Sequence, residues 1–506
     1  MPGLSKSKYT LFRQCAKALW LQVYKPELAV IDDSAKARFE AGNVVGDLAM
    51  GLFGDFVEVT TVTEDGKLDL KEMIRKTQEC IAAGTENIAE ASFTWNGNYC
   101  AVDILHKTVG GYAIYEVKSS TGSDAKAKNT RQVLEKYARD IAYQKFVLEK
   151  CGIHVTGTFL VRLNSDYVFD KALDIKQLFH ITDMKDLVEE ELQVVDANIH
   201  DAVAVLSCGN EPVRRLGKHC SHPYDCAFVK YCMEGIPNPS VFDLYRMWFS
   251  NAAEQYYEGN ITFDDIRDSK LTPMQQMQVE CTLQGKDYID KDAIREFLGK
   301  LSYPLYFLDF ETMQNPVPQY QGTKPYQQIT FQYSLHWIER EGGELKHTDF
   351  LGESGTDPRR ALAEKICTDI PMNVCTTAYN KGFECGRLRE LAEMYPDLAE
   401  HLRNIADNII DLLEPFQKGN YYTPAMGGSF SIKSVLPALF PDDPELNYHN
   451  LDERCQNGGD AMTIFPRIKD MSPEEQLATR TALLNYCCLD TYAMVKVWGK
   501  LVEVSK

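Results

Sequence analysis

Asn96-Gly97 stands between two runs of strand-forming residues and is the strongest short-range signal for a two-residue β-hairpin loop. Paired positions lie equally far from such a loop, so Glu90 is expected opposite Asp103. A second turn falls within Thr108 to Gly111. With Val109-Gly110 as its loop, Asp103 faces Glu116; with Gly110-Gly111, it faces Lys118, which shares Glu116's side of the strand. Either register gathers Glu90, Asp103 and Glu116 on one face of an antiparallel meander. Like charges opposite each other destabilise a sheet, by roughly 0.2 to 1 kcal/mol, so the row needs a reason. A hard divalent cation, Mg²⁺ or Mn²⁺, is the simplest, because such ions take carboxylate oxygens. Lys118 then adds a charge able to orient a water or stabilise phosphate. An amphipathic surface sheet with solvated acids is the competing explanation.

An Asp followed one strand later by Glu116-Val117-Lys118 resembles the P-D-(D/E)-x-K nuclease superfamily in its RecB-like branch. The resemblance implies that Asp103 and Glu116 bind metal, that Lys118 assists the attacking water, and that Glu90 is an added acid. That branch carries a Gln-x3-Tyr helix after the E-x-K strand. The helix expected from Arg131 to Lys150 puts Leu134, Tyr137, Ile141 and Leu148 on one stripe with Gln144. The Gln is therefore present, with Leu148 at the Tyr position, although a satisfied core amide explains a buried Gln equally well. The branch's early His falls at Gly46, in the segment starting at Arg38, and Glu90 is the compensating acid.

Fifteen cysteines, with no signal peptide and no apolar run near the roughly 18 residues of a membrane span, point to a reducing cytoplasm. There, clustered thiols mean metal rather than disulfide. Cys80, Cys100, Cys151, Cys281 and Cys375 sit in apolar contexts and read as small core residues. Cys220, Cys226 and Cys232 form C-x5-C-x5-C in a turn-rich segment, one ligand short of a tetrahedral site. Cys15 is the candidate fourth. One Cys before a nuclease core and three after it resembles the iron-sulfur staple of CRISPR-associated RecB-like and AddB-type nucleases. That implies a [4Fe-4S] cluster on Cys15, Cys220, Cys226 and Cys232. The first gap is longer than usual in those families, and zinc with His219 or His222 is the alternative.

In the second half, Leu305 to Leu308 reads as a buried strand leading into Asp309-Phe310-Glu311-Thr312, with Asp309 and Glu311 on one side. Gln328 to Glu339 alternates strictly and is expected as a half-buried antiparallel partner. A strand over Leu345 to Leu351, a helix from Arg359 and a strand ending at Tyr379-Asn380 follow, an order that suggests an RNase H-like fold. Tyr486 and Asp490 are one turn apart on a C-terminal helix. D-x-E-T, then Asn380-Lys381-Gly382-Phe383-Glu384, then Y-x3-D resembles the DEDD exonucleases of the DnaQ and RNase D group. The resemblance makes Asp309, Glu311 and Asp490 ligands of two metals, puts Glu384 where an Asp is usual, and gives Tyr486 the water. Gly427-Gly428-Ser429 leads into a helix whose start, with Lys433, suits phosphate.

At 506 residues the chain has room for several domains. The expected architecture is α/β: a restriction-endonuclease-like domain with the cysteine cluster over 1–238, a helical connector over 239–300 with a capped helix start at Asn260 to Asp265, and an RNase H-like DEDD domain over 301–506. A net charge of −19 argues against a protein that coats nucleic acid nonspecifically. Basic residues nevertheless outnumber acids eight to four from Val117 to Lys150 and five to one over residues 1–30, flanking the first site. The expected function is a Mg²⁺- or Mn²⁺-dependent DNA exonuclease acting on single strands or ends, without a membrane partner. An RNA 3′ exonuclease working through the DEDD site alone, and a non-catalytic end-binding scaffold, are the alternatives.

Overall fold

A computed structural model describes residues 3–31, 33–124 and 130–506. Lys126 and Lys128 of the basic stretch lie outside the described residues. The chain divides into two compact units, one running to Glu234 and including Asn315–Gln327, the other comprising Gly235–Gln314 and Gln328–Lys506. Both are α/β. Among the described residues, no helix is long and apolar enough to cross a membrane.

The first unit begins with α1 (Lys6–Gln14), α2 (Ala16–Tyr24), α3 (Asp33–Met50), β1 (Val57–Glu58) and α4 (Leu70–Ala83). The meander follows as β2 (Asn87–Trp95), β3 (Asn98–Thr108) and β4 (Gly111–Gly122), then α5 (Arg131–Lys150), β5 (Val155–Asn164), α6 (Ile175–Leu178), β6 (Phe179–Asp183), α7 (Lys185–Ser207) and α8 (Val229–Cys232). Its six strands form one sheet in sequence order. Pairing is parallel at β1–β2 and β4–β5 and antiparallel elsewhere, with α5 as the crossover that the parallel β4–β5 pair requires.

Turn chemistry fixes the register as expected. Asn96 and Gly97 both take positive φ, 49° and 81°, and Trp95 pairs with Asn98. At the next turn Thr108 pairs with Gly111, so the loop is Val109-Gly110; the ladder runs to Ile104–Tyr115, which brings Asp103 beside Glu116 and Val117, whose N–H its carboxylate accepts. Glu90 interrupts its strand: Ala89 and Ala91 pair with Ile104 and Val102, while Glu90 itself sits at φ 56°. The apolar stripe of α5 is buried as predicted, and Gln144 is buried with it. Ser5, just before α1, bridges to Tyr99 of β3, and Tyr99 N–H donates to Leu4 O at 2.7 Å, which lays the start of α1 along the sheet.

The second unit contains α9 (Phe249–Tyr257), α10 (Pro273–Gln284), β7 (Tyr288–Ile289), α11 (Lys291–Leu298), β8 (Leu305–Gln314), β9 (Gln328–Ile338), β10 (Leu345–Leu351), α12 (Arg359–Asp369), β11 (Cys375–Ala378) and α13 (Gly382–Met394). It continues with α14 (Ala399–Asp407), β12 (Ile409–Asp411), α15 (Glu414–Gln417), β13 (Tyr421–Tyr422), α16 (Ile432–Leu439), α17 (Gly458–Ile464) and α18 (Pro473–Ser505). A five-stranded sheet runs in the order β10-β9-β8-β11-β12, antiparallel across the first three strands and parallel across the last three. α18 opens on a capping box, with Ser472 and Glu475 each bonding the other's backbone.

Three expectations are corrected. Residues 239–300 are not a separate connector: they lie within the second unit, where β7 pairs with β13 and Ile294 and Phe297 of α11 join its core. Asn260 to Asp265 closes a turn instead of starting a helix, with the Asp265 carboxylate accepting from Ile261 and Thr262 N–H. β9 is buried on both faces, because its polar side is covered by α18. Gln332 donates to Leu483 O at 2.8 Å, and Ser334 and His336 both bond the Thr491 hydroxyl.

Candidate functional site

In the first unit, Glu116 is fully buried and is the hub of the cluster. Lys118 Nζ lies 2.7 Å from its Oε1, and Gln144 Nε2 donates to its Oε2 at 2.6 Å. The side-chain oxygen of Gln144 is buried without a partner. Asp103 Oδ2 accepts the Val117 N–H at 2.6 Å. Two members were absent from the sequence reading. Lys6, carried by α1, reaches Glu116 Oε1 at 2.9 Å and Asp103 Oδ1 at 3.9 Å. Asp140, one turn before Gln144 on α5, pairs with Lys118 at 3.0 Å. The i, i+4 spacing from Gln144 could have flagged Asp140; nothing in the sequence ties Lys6 to strands so far along.

Burial pushes the Asp103 carboxyl upward and the charge of Glu116 adds to it. Burial also acts upward on Glu116, but Lys118 and Lys6 outweigh it and hold that carboxylate ionised. Glu90, desolvated and close to Asp103, is pushed up to about 7. Its left-handed backbone is strained for a non-glycine residue, which the surrounding sheet must enforce. At Gly46 an added Cβ would meet no atom within 4 Å, so the position is open but carries no ligand. Leu148 is fully buried in the core.

The second unit brings together all five residues singled out there. A cavity of about 310 Å³ is lined by Asp309, Glu311, Glu384, Tyr486, Asp490 and Lys433 among others. The two strand acids project from β8 with Phe310 between them. Glu384 lies in the first turn of α13 after Asn380, whose φ is 67°, and Tyr486 and Asp490 share one face of α18. Burial and then repulsion from neighbouring acids hold Asp309 and Glu311 well above the usual carboxylate range, and burial raises Asp490 against the opposing pull of Tyr448, Lys433 and Tyr486. Burial also lifts Glu384 to about 8, and its Oε2 is buried with no partner.

Tyr448, which the sequence did not single out, donates to Asp490 Oδ1 at 2.5 Å. Lys433, at the start of α16, lies 3.5 Å from the Tyr486 hydroxyl and over the Tyr448 and Tyr486 rings. Cys487 Sγ is 3.9 Å from Asp309 Oδ2, and burial, then Asp309's charge, pushes its thiol upward; one donor atom each from Asp309, Glu311 and Cys487 lie within 4.8 Å of one another.

Cys15, Cys220, Cys226 and Cys232 line one cavity in the first unit, with His219 and Arg214 in its wall. His222 is not among the lining residues. All four thiols are unpaired, and burial raises those of Cys220, Cys226 and Cys232, Cys226 to about 11. Cys15 sits at the junction of α1 and α2, and the Cys226 N–H donates to Cys220 O at 2.9 Å. Among the described residues, no three of these sulfurs gather within 4.8 Å of one another.

Residues 306–431 match a family model described as a domain of unknown function, DUF2779, a span containing Asp309, Glu311 and Glu384. The chain is also similar to a curated protein of Ureaplasma parvum serovar 3, described as "Uncharacterized protein UU173", at 29% identity over 182 residues. That match covers 33% of this chain and 25% of the relative, so it spans about a quarter of that protein's length. The family match alone therefore spans the stretch that supplies three of the four acids of the second cluster.

Proposed function

We propose that this chain is a metal-dependent nuclease with two hydrolytic centres, acting as an exonuclease on single-stranded DNA or DNA ends. The observation that carries the reading is the convergence of Asp309, Glu311, Glu384 and Asp490 on one cavity beside Tyr486 and Lys433. Three buried carboxylates and the half-buried Asp309, crowded together and one of them with an orphaned oxygen, fit a divalent cation's donor set. In the first cluster, Asp103 and Glu116 are the donors, and Lys6 and Lys118 neutralise them. When bound, Mg²⁺ or Mn²⁺ supplies Lewis-acid polarisation of a phosphodiester and makes water more acidic.

The chain's own groups do the rest. Tyr486 lines the cavity beside Asp490, with Lys433 donating to its hydroxyl at 3.5 Å, and is the group that would orient a water. Lys433 offers its charge to a phosphate there. In the first centre Gln144 and Lys118 hold Glu116 in place, and Lys118 is the group that positions a water or meets phosphate charge. This reading makes the first unit restriction-endonuclease-like, supported by acids on adjacent antiparallel strands followed by a crossover helix. It makes the second RNase H-like, supported by three antiparallel strands followed by two parallel ones.

We assign the four cysteines that line one cavity to a [4Fe-4S] cluster; a zinc ion shared with His219, whose Nε2 lies 3.7 Å from Cys220 Sγ, is the alternative. The cluster would tie the α1–α2 junction to the segment around α8.

The test is cleavage of 5′- and 3′-labelled single-stranded DNA, beside RNA of matched sequence, by anaerobically purified protein with Mn²⁺. Wild type should give products of which Lys118→Ala loses one set and Asp309→Ala the other. Cleavage of RNA alone would establish the RNA exonuclease instead, and no metal-dependent cleavage of either would leave the end-binding scaffold.

A further inference from the structure

A second group of metal-type donors lies in the second unit, outside the acid cavity. His336 on β9 and His347 on β10 are directly paired across the sheet, with ring centroids 4.4 Å apart. Cys488 on α18 joins them: one donor atom from each of the three lies within 4.8 Å of the others.

The surrounding hydrogen bonds fix the state of both rings. Thr491 Oγ1 donates its single proton to Cys488 O at 3.1 Å, so its other partners must donate to it. His336 therefore gives its Nδ1–H to Thr491 at 2.8 Å, and Ser334 gives its hydroxyl proton to Thr491 at 2.7 Å. With that proton spent, Ser334 accepts from His347 Nε2–H at 2.9 Å. Each ring is thereby left with one nitrogen outside these bonds, His336 Nε2 and His347 Nδ1, which carries a lone pair when the imidazole is neutral. This is the arrangement in which a second ring nitrogen, anchored by a hydrogen bond, orients a ligating histidine. Burial holds the His336 ring below the ordinary histidine range, and partial desolvation where His347 faces the sheet lowers that ring too although its residue is exposed overall. Asp349, two residues along β10 from His347 and so on the same face, is close enough for its charge to act on His347 and Cys488.

We propose that His336, His347 and Cys488 form a zinc site, with Asp349 or water completing the tetrahedron. Two imidazoles and a thiolate are borderline-soft donors, which select zinc over the hard ions that suit the acid cavity. Such an ion fastens α18 to the β9–β10 edge. The site is independent of the nuclease reading.

The test uses the full chain, loaded with Zn²⁺ in excess Mg²⁺, dialysed, and assayed for zinc and iron by atomic emission. Wild type should retain one more zinc per chain than either His347→Ala or Cys488→Ser, with iron content and far-ultraviolet circular dichroism unchanged. His347 is exposed, so its removal leaves folding intact. Replacing zinc by Co²⁺ should give a thiolate-to-cobalt charge-transfer band in wild type that Cys488→Ser loses. Equal zinc content in wild type and both variants, or a cobalt spectrum unchanged by Cys488→Ser, would overturn the proposal.

Discussion

Glu116 is a fully buried carboxylate met by two ammonium groups and one amide, and that redundancy decides how the first centre tolerates change. Removing Lys118 still leaves Lys6 against Glu116, so no buried charge is stranded. Lys118→Ala should therefore fold with an unchanged circular dichroism spectrum and lose one cleavage activity by about 10²- to 10³-fold. Asp309 has the opposite character. It sits among buried acids with which it competes, so Asp309→Asn should abolish the other activity and raise metal-free stability by on the order of 1 kcal/mol, read in denaturant unfolding. A loss of stability would show that the acids are not in conflict. At this scale the sequence revealed residues that declare themselves by local spacing: Asp103 and Glu116 by turn register, Tyr486 and Asp490 by one helical turn. Lys6 and Tyr448 stayed hidden, since only the folded chain brings them near Glu116 and Asp490.

Among elements, β9 shows where pattern reading stops. Its alternation identified a strand and its apolar face correctly. Its polar face, however, is roofed by α18, whose contacting residues come some 150 positions later. Polar side chains there look solvated in sequence, yet they are buried and hydrogen-bonded. The α1–α2 junction poses a related question, because Cys15 meets Cys220, Cys226 and Cys232 only across about two hundred residues. A cluster closing so long a loop constrains the unfolded chain strongly. Cys226→Ala should lose the brown colour, and the protein should become insoluble or unfold at much lower temperature, as followed by absorbance near the visible charge-transfer band and by thermal melting. A colourless wild type that melts like the variant would remove the cluster.

For the molecule as a whole, raised carboxyl pKa values become a dependence of stability on pH. Glu384, lifted from 4.5 to about 8, and Glu90, lifted to about 7, bind protons more tightly folded than unfolded. Their contribution is present in full below about pH 4.5 and is lost as pH rises through 7 to 8. Metal-free protein should thus melt at progressively lower temperature from pH 5.5 to 8.5 in this range of the titration, and Mn²⁺ should flatten or reverse the trend by binding the ionised carboxylates. Melting curves with chelator and with Mn²⁺ at each pH measure it. The broad architecture, α/β with two acid-bearing halves, was legible because strand alternation and turn residues act locally. The assignment of residues 239–300 was not, because their partners, β13 and α18, come much later in the chain.

The first unit is not one continuous stretch of chain. Asn315–Gln327 belongs to it, and there Phe169 exchanges backbone hydrogen bonds with Thr323 and Gly322, at 2.9 and 2.8 Å. During synthesis, the last piece of this unit leaves the ribosome only after the whole of β8 has been made. A gene fragment ending at Glu234 would encode a unit with two of its backbone bonds unfilled, so a separately expressed first half needs residues 315–327 supplied in cis.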